Sequence, residues 1–219
     1  MTASILAVMA VFGLLVLYNN NHIQYSYYHK KLTQFKQENE TIEFCDVVFL
    51  GDSLTDGYSL KAHYPRYAML NRGIGGDTTQ GVIERLEESV FKVEPKVVVL
   101  LIGGNDVARD RSNDYILSNY KIIINDIRNK IPNTKIIMQS MYPLGAEFMA
   151  KHEIMKYLNK ELIKIAQETG CRFVDVFSSL VDEVGYLNPK YTVEGIHLNN
   201  DGYAVVTSVL KPIIDEMLN

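Results

Sequence analysis

The chain has 219 residues, of which 47% are hydrophobic, so it can bury a core of the size found in one ordinary domain. Its formal net charge is −4 and its pI is about 5.8, which excludes an overall basic surface of the kind that binds nucleic acid. The two cysteines, Cys45 and Cys171, lack metal-site spacing; the count allows one disulfide, but two buried thiols are the favoured interpretation.

The N-terminal segment is strongly apolar. Residues 5–18 are almost wholly hydrophobic, and no charge occurs from Thr2 to Tyr18. This length is at the short end of the roughly 17–25 residues that span a bilayer. Because a basic start and a small-residue cleavage site are both lacking, we predict an uncleaved membrane anchor within residues 1–21. A cleaved signal peptide and a buried core helix are the alternatives.

The segment at residues 22–41 is polar and rich in tyrosine, and we predict a stalk between the anchor and a domain at residues 42–219. Its tyrosines either lie at a membrane interface or pack on the domain surface. We place the domain on the extracytoplasmic side of the membrane. Lys30 and Lys31 favour the cytoplasmic side by the positive-inside rule, but they lie too far from the apolar segment to decide the orientation.

From residue 42 onward, apolar runs alternate with segments of helical periodicity. This alternation predicts βαβ units, and therefore an α/β fold in which helices cover both faces of a five-stranded parallel sheet, a three-layer α/β/α sandwich. The predicted strands are Val47–Leu50, Ala68–Leu70, Val97–Ile102, Ile136–Met138 and Phe173–Val176. The predicted longer helices lie near residues 80–90, 115–131, 154–166 and 203–218.

A polar cluster follows each of the first three predicted strands, at residues 51–57, 71–79 and 103–106. Because parallel strands end at the same edge of a sheet, we expect the three clusters to lie close together. Ser53, in the first cluster, is either a nucleophile or the N-cap of the next helix. A nucleophilic serine needs a base and an orienting group, and His197 and Glu194 supply an imidazole and a carboxylate.

The second and third clusters have the groups that an oxyanion requires. Glycines in residues 71–79 allow a backbone N–H to approach a ligand closely, and Asn105 adds a carboxamide donor on another tight turn. Fixed donors of this kind stabilise a developing negative charge without reorganising. Each glycine turn alone is better explained as an ordinary connection between a strand and a helix, but three in sequence beside a serine and a histidine favour a functional site.

Other motif interpretations fail on specific residues. The glycine-rich cluster has neither the third glycine of a dinucleotide fingerprint nor a P-loop lysine, and the Gly-x-Ser-x-Gly elbow is absent. Asp52 and Asp56 lack the spacing of a metal-dependent phosphatase. The remaining histidines show no ligand spacing and are predicted to lie on the surface: His22, His29, His63 and His152.

Taken together, four blocks of the sequence resemble one known family. The Gly-Asp-Ser-Leu motif at 51–54, Gly76, Asn105 and His197 are similar to the blocks of the GDSL, or SGNH, hydrolases, in the expected order and spacing. The resemblance spans about residues 44–203. It implies a flavodoxin-like α/β/α fold and an esterase, lipase or acylhydrolase that acts on esters or thioesters without a metal or cofactor.

The resemblance also implies roles for individual residues. Ser53 is the expected nucleophile and His197 the expected base. The expected oxyanion hole consists of the backbone N–H groups of Ser53 and Gly76 and the side chain of Asn105. The Gly-Ile-Gly-Gly-Asp-Thr stretch resembles most the platelet-activating-factor acetylhydrolase-like and lysophospholipase/thioesterase branches. Acetylated carbohydrate, lysophospholipid and acyl thioester all remain open as substrates.

One position departs from the family pattern. The family usually has Asp three residues before the histidine, where this chain has Glu194. Since Ser-His-Glu triads occur on α/β-hydrolases, we predict Glu194 as the third catalytic residue. A second hypothesis takes the departure as the sign of a non-catalytic module that binds carbohydrate or lipid. Asp201 is predicted to cap the last helix. The predicted pocket walls are Tyr58, Tyr64, residues 141–144 and the loop at 186–191.

Overall fold

A five-stranded, all-parallel sheet lies at the centre of residues 22–219, the part of the chain that the computed structural model describes. The strands in chain order are β1 (Val47–Gly51), β2 (Met69–Gly73), β3 (Val97–Leu101), β4 (Lys135–Gln139) and β5 (Arg172–Val174). Their order across the sheet is β2-β1-β3-β4-β5. The strand order therefore reverses between β1 and β3: β2 is added on one side of β1, and β3 to β5 are added on the other. Ligands of such sheets bind at this switch point, beyond the carboxyl ends of the strands.

Helices cover both faces of the sheet, which confirms the three-layer α/β/α sandwich. The helices are α1 (residues 22–39), α2 (Ser53–Asp56), α3 (Leu60–His63), α4 (Thr79–Glu84), α5 (Gly104–Ala108), α6 (Asn113–Lys130), α7 (Met149–Thr169), α8 (Phe177–Leu180) and α9 (Asn200–Leu218). Single turns of other helix types lie at Glu87–Phe91, Ala146–Phe148 and Pro189–Tyr191.

The two hydrophobic cores lie on opposite faces of the sheet because successive side chains of a strand point to opposite sides. Val48 and Leu50 of β1 pack with α4, α6 and α7 in one core. Val47 and Phe49 pack with α3, α8 and α9 in the other. Both faces of β1 are thus buried, as expected for a parallel strand with a continuous apolar sequence.

Several element boundaries differ from the sequence prediction, and two of these differences involve buried arginines. The second strand extends to Gly73 because Asn71, Arg72 and Gly73 continue the pairing with β1, and the charged side chain of Arg72 is fully buried beneath α1. The predicted helix at 80–90 is interrupted at Arg85, which ends α4. A separate π-helical turn follows at Glu87–Phe91.

The start of α9 also differs from the prediction. Asp201 does not cap this helix; the N-cap is Asn199, whose side chain accepts a hydrogen bond of 3.0 Å from the backbone N–H of Gly202. Asp201 lies in the first turn instead, where its negative charge is favourable at the positive end of the helix dipole. Asn is as good a cap as Asp, so the sequence alone did not distinguish them.

The predicted anchor at residues 5–18 lies outside the described residues. Within residues 22–219, no helix combines the length and the apolar character needed to cross a bilayer. Both cysteines are free thiols, as predicted; Cys45 is buried, whereas Cys171 is only half-buried.

Candidate active site

The tight turn after β1 presents Ser53. A Cβ atom at Gly51 would overlap the carbonyl oxygen of Leu101, so only glycine fits where β1 ends. Asp52 is the N-cap of α2, and its side chain accepts a 3.1 Å hydrogen bond from the backbone N–H of Leu54. The alternative role of Ser53 as the helix cap is therefore wrong, and its hydroxyl is not engaged in capping.

The hydroxyl of Ser53 contacts the predicted base. Its Oγ lies 2.9 Å from Nε2 of His197. On the other side of the ring, Nδ1 of His197 makes a short hydrogen bond with Oε1 of Glu194. The three side chains thus form one hydrogen-bonded series, in which the carboxylate fixes the imidazole orientation and leaves Nε2 directed at the serine.

A small loop holds Glu194 and His197 together. Gly195 has a positive φ of 80°, which permits the turn between them. The backbone N–H of His197 donates to Oε1 of Glu194 at 2.9 Å, and Thr192 accepts from Gly195 and donates to the carbonyl of His197. The bond from the His197 N–H is the main reason that the pKa of Glu194 lies below its ordinary value, so the carboxylate is ionised at neutral pH.

The residues predicted for the oxyanion hole lie on two turns beside Ser53. A Cβ built on Gly75 would be 3.9 Å from the Cβ of Ser53, and the next residue, Gly76, has a positive φ of 75°. Asn105 lies in the first turn of α5 and donates from Nδ2 to the carbonyl of Asp77 at 2.9 Å. This bond ties the two turns together and leaves the second amide hydrogen of Asn105 for another acceptor.

The buried side chain of Arg85 stabilises the glycine-rich turn through hydrogen bonds. Its guanidinium is buried and donates to Asp77 Oδ2 at 2.7 Å, and to the carbonyls of Gly51 and Arg72 at 2.9 Å each. It therefore joins the ends of β1 and β2 to the loop that follows β2. Buried ion pairs of this kind need such additional hydrogen bonds to offset the loss of hydration.

A second buried network holds Asn105 in place. The neighbouring Asp106 accepts hydrogen bonds from the backbone N–H and the hydroxyl of Thr79, at 2.9 and 2.8 Å. Asn119 of α6 donates to the same hydroxyl at 2.8 Å. The start of α5 is thereby attached to the start of α4, and so to the glycine-rich turn.

An apolar cavity of about 400 Å³ opens beside Ser53, His197 and Asn105. The predicted wall residues 141–144 line it, as do side chains that the sequence did not single out: Val107, Phe148, Met155 and Ile196. These come from α5, the turn at Ala146–Phe148, α7 and the loop that holds Glu194 and His197. The sequence did not indicate these four wall residues because apolar side chains at such spacing are equally typical of an ordinary hydrophobic core.

Several predicted aromatic and histidine positions were wrong. Tyr58 and Tyr64 do not line the cavity; they are buried against Phe49 and contact each other at 3.1 Å through their hydroxyls. The loop at 186–191 is not among the described residues that line it. His152 is not on the surface but buried, and its Nδ1 accepts from the backbone N–H of Leu144 at 3.1 Å.

Asp52 is a functional candidate that the sequence did not indicate, because nothing in the local pattern shows that its carboxyl is buried. Its carboxyl is buried, lines the cavity and lies beside the catalytic series. Burial raises the pKa of Asp52 to about 7, and the nearby charge of Asp77 adds to this effect while His197 opposes it. The charge on this carboxyl therefore changes near neutral pH.

This fold, with a serine, an imidazole and a carboxylate in hydrogen-bonded order at the carboxyl edge of the sheet, defines a class of serine-dependent hydrolases. Comparison with family models identifies the class further. The GDSL-like lipase/acylhydrolase family model matches residues 49–205, so the chain belongs to that family and is an ester hydrolase.

Known relatives and solved structures agree with this assignment. The chain is 27% identical over 180 residues to platelet-activating factor acetylhydrolase IB subunit alpha2 of Homo sapiens, covering 79% of this chain and 77% of the relative. It is 28% identical over 181 residues to subunit alpha1 of Pongo abelii, with the same coverage.

Two solved structures superimpose closely on the chain. A Streptococcus pneumonia protein described as a platelet activating factor has a TM-score of 0.86 at 26% identity, covering 92% of this chain and 99% of its own. A GDSL-like lipase from Bacteroides thetaiotaomicron has a TM-score of 0.77 at 25% identity, covering 84% and 97%.

Proposed function

We propose that the chain hydrolyses esters or thioesters of small or single-chain acyl groups through an acyl-enzyme on Ser53. The observation that carries the proposal is the 2.9 Å contact between Ser53 Oγ and His197 Nε2, with Glu194 on the opposite ring nitrogen. A serine becomes nucleophilic when such a base accepts its proton.

In the first half-reaction, Ser53 Oγ bonds to the acyl carbon while His197 Nε2 takes the hydroxyl proton. The N–H groups of Ser53 and Gly76 and the amide of Asn105 donate to the oxyanion that forms. The tetrahedral intermediate then breaks its bond to the alcohol or thiol, which leaves with the proton from His197. In the second half-reaction, His197 Nε2 takes a proton from a water molecule whose oxygen bonds to the acyl carbon. The bond from that carbon to Ser53 Oγ then breaks, His197 returns the proton to Ser53, and the free acid departs.

The cavity supports an apolar acyl group. Its walls are mostly aliphatic and aromatic, and its volume of about 400 Å³ lies within the range of sites that enclose small-molecule ligands. An acetyl group fills little of such a space. Among the candidate substrates, lysophospholipids and acyl thioesters with one hydrocarbon chain therefore fit this site better than acetylated carbohydrate. The relatives' name, an acetylhydrolase, makes a short acyl group the competing expectation.

The competing class of function is a non-catalytic module that binds carbohydrate or lipid on the same fold. The short Glu194–His197 contact argues against it, because the departure from the usual aspartate keeps the carboxylate on the imidazole. A fluorophosphonate probe distinguishes the hydrolase from the binding module, since it labels only an activated serine. We expect labelling that Ser53→Ala removes, together with turnover of p-nitrophenyl esters; an unlabelled wild type would favour the binding module.

We further propose that residues 1–21 attach the chain to a membrane, with the hydrolase on the extracytoplasmic side. The support is the uncharged, apolar sequence of residues 5–18. A single-chain lipid substrate would be available at such a location.

A further inference from the structure

The first described helix, α1, is an integral part of the hydrolase domain. Phe35 is fully buried, and the guanidinium of Arg72 lies 4.5 Å from the centre of its ring. The same guanidinium pairs with Glu38 and donates to Asn39 Oδ1 at 2.7 Å. The C-terminal half of α1 is therefore fixed on the end of β2, the strand that leads into the glycine-rich turn.

The N-terminal half of α1 reaches the glycine-rich turn itself. Gln24 donates from its side-chain amide to the carbonyl of Gly75. A Cβ built on Gly76 would lie 2.7 Å from Nε2 of the same glutamine. Gln24 thus packs directly against the glycine-rich turn.

Asp56 joins α1 to this turn by a second route. Its Oδ2 accepts from the backbone N–H of Gly75 at 3.1 Å and from the hydroxyl of Tyr27 at 2.5 Å, and its Oδ1 accepts from Lys31 Nζ at 2.9 Å. Only 16% of each side chain of the Lys31–Asp56 pair is exposed, so water screens this pair less than an ordinary surface ion pair. Burial and the bond to Asp56 also raise the pKa of Tyr27 to about 12, so its hydroxyl remains a donor.

The contacting residues form one face of the helix. Gln24, Tyr27 and Lys31 are separated by three and four residues, the spacing that places side chains above one another. Tyr25 and Lys30 lie on other faces, and Tyr25 is 67% exposed whereas Tyr27 is 38% exposed. The helix therefore presents one set of polar side chains to the active-site turn and another set to water.

We propose that α1 is a positioning element for the oxyanion hole: Gln24, Tyr27 and Lys31 hold Gly75, directly and through Asp56, and thereby fix the adjacent Gly76 N–H. This inference rests on the proposed role of Gly76 in ester hydrolysis. A displacement of a donor by a fraction of an ångström weakens a bond that forms fully only in the transition state, so the effect falls on kcat and not on KM.

The experiment compares two double variants of the full chain. Tyr27→Phe with Lys31→Met removes the two donors that α1 provides to Asp56, whereas Tyr25→Phe with Lys30→Met makes the same chemical changes on other faces of the same helix. For each we would measure kcat and KM on the best p-nitrophenyl ester, the melting temperature, and the inhibition constant of a trifluoromethyl ketone, which forms an oxyanion on the serine.

We expect the first variant to lower kcat about tenfold with KM within twofold of wild type, because a misplaced donor costs less than a lost one. The inhibition constant of the ketone rises by a similar factor, since it mimics the transition state. The control variant matches wild type in all four measurements. Gln24→Ala, which removes the described contact with the turn, lowers kcat by about threefold and keeps the melting temperature, so the test does not depend on one variant folding.

Equal kcat in the Tyr27/Lys31 and Tyr25/Lys30 variants, with an active wild type, would overturn the positioning role and leave the proposed function intact. A lower melting temperature with unchanged ketone inhibition would also overturn it, in favour of a purely structural contact. A wild type that turns over no ester and takes no fluorophosphonate label would overturn the proposed function, and this inference with it.

Discussion

Ser53 Oγ and His197 Nε2 lie 2.9 Å apart although 144 residues separate them in the chain. The contact forms because Ser53 follows the central strand β1 and His197 lies in the loop before α9, which packs on one face of the same sheet.

We expect Ser53→Ala to abolish ester turnover while the thermal unfolding transition is retained, since the hydroxyl is not part of the core. The check is kcat on p-nitrophenyl esters beside circular dichroism; activity within tenfold of wild type would contradict the nucleophile assignment.

Glu194 allows a sharper test of the catalytic series. Glu194→Gln keeps the shape but loses the charge and favours the wrong imidazole tautomer, so we expect kcat to fall roughly 10³–10⁴-fold, as the comparable Asp→Asn change does in serine proteases. Glu194→Asp keeps the charge but shortens the reach to His197 and should be milder. The measurement is kcat of both variants by steady-state kinetics, which tests whether Glu194 orients His197. If both stay within a few-fold of wild type, another group orients His197.

Gly104 lines the apolar cavity, so a larger side chain at this position tests whether the cavity binds the acyl chain. Its Cβ would make ordinary contacts, 3.6 Å to Asp52 Oδ2 and 3.9 Å to Met155 Cε, so a larger side chain would project into the space. We expect Gly104→Val to lower kcat/KM for octanoyl esters at least tenfold more than for acetyl esters, because each excluded methylene forfeits about 0.8 kcal/mol of burial.

The control for this cavity test is Ala204→Leu, which also adds three carbons to a helix, at an exposed position of α9. A p-nitrophenyl ester series of increasing chain length gives the measurement. An unchanged chain-length profile in Gly104→Val would show that the acyl chain binds elsewhere, whereas equal loss on all esters would indicate damage to Asn105 next to it.

The buried carboxyl of Asp52 predicts a pH-dependent stability. Its pKa of about 7 in the folded protein exceeds its ordinary value of 3.8, so the folded state binds the proton more tightly than the unfolded state does. Stability that depends on this group is therefore present below pH 3.8 and is lost as pH rises towards 7. Asp52→Asn keeps an acceptor for the Leu54 N–H and removes the titration.

We expect the free energy of unfolding of Asp52→Asn, relative to wild type, to increase between about pH 4 and pH 7 and to level off above. Denaturant unfolding of both proteins at pH 4, 5.5, 7 and 8 measures this difference, and the subtraction cancels the titration of other groups. A difference that does not change with pH would mean that Asp52 is ionised throughout.

The N-terminal segment can be tested by deletion. Removing residues 1–21 keeps Gln24 and the other residues of α1 that contact the active-site turn, so we expect a soluble and active enzyme. The full-length chain should sediment with membranes and resist carbonate extraction. Deletion of residues 1–31 serves as the contrast, since it also removes Tyr27 and Lys31 and should lower kcat.

Two results would contradict the anchor. Recovery of the full-length chain in the soluble fraction would count directly against membrane attachment. Failure of the shortened chain, residues 22–219, to fold would instead indicate that the apolar segment is a core helix.

The sequence by itself determined the architecture and the identity of the candidate catalytic residues. Continuous apolar runs such as Val97–Leu101 are long enough to specify buried strands, and their alternation with helical periodicity specifies a parallel sheet. The blocks around Ser53, Asn105 and His197 could be recognised because their residue types, order and spacing resemble those of a known hydrolase family. These features depend on local pattern, which a single sequence contains.

Only the tertiary structure decided which polar side chains are buried and what surrounds them. Arg85, Asp52 and Arg72 look like surface residues in the sequence, yet each is buried because a distant segment covers it. Likewise, nothing in the polar sequence of α1 indicates that Tyr27 contacts the active-site turn while Tyr25 faces water. Burial, pKa shifts and cavity shape arise from contacts between segments far apart in the chain, and local sequence patterns do not encode which segments meet.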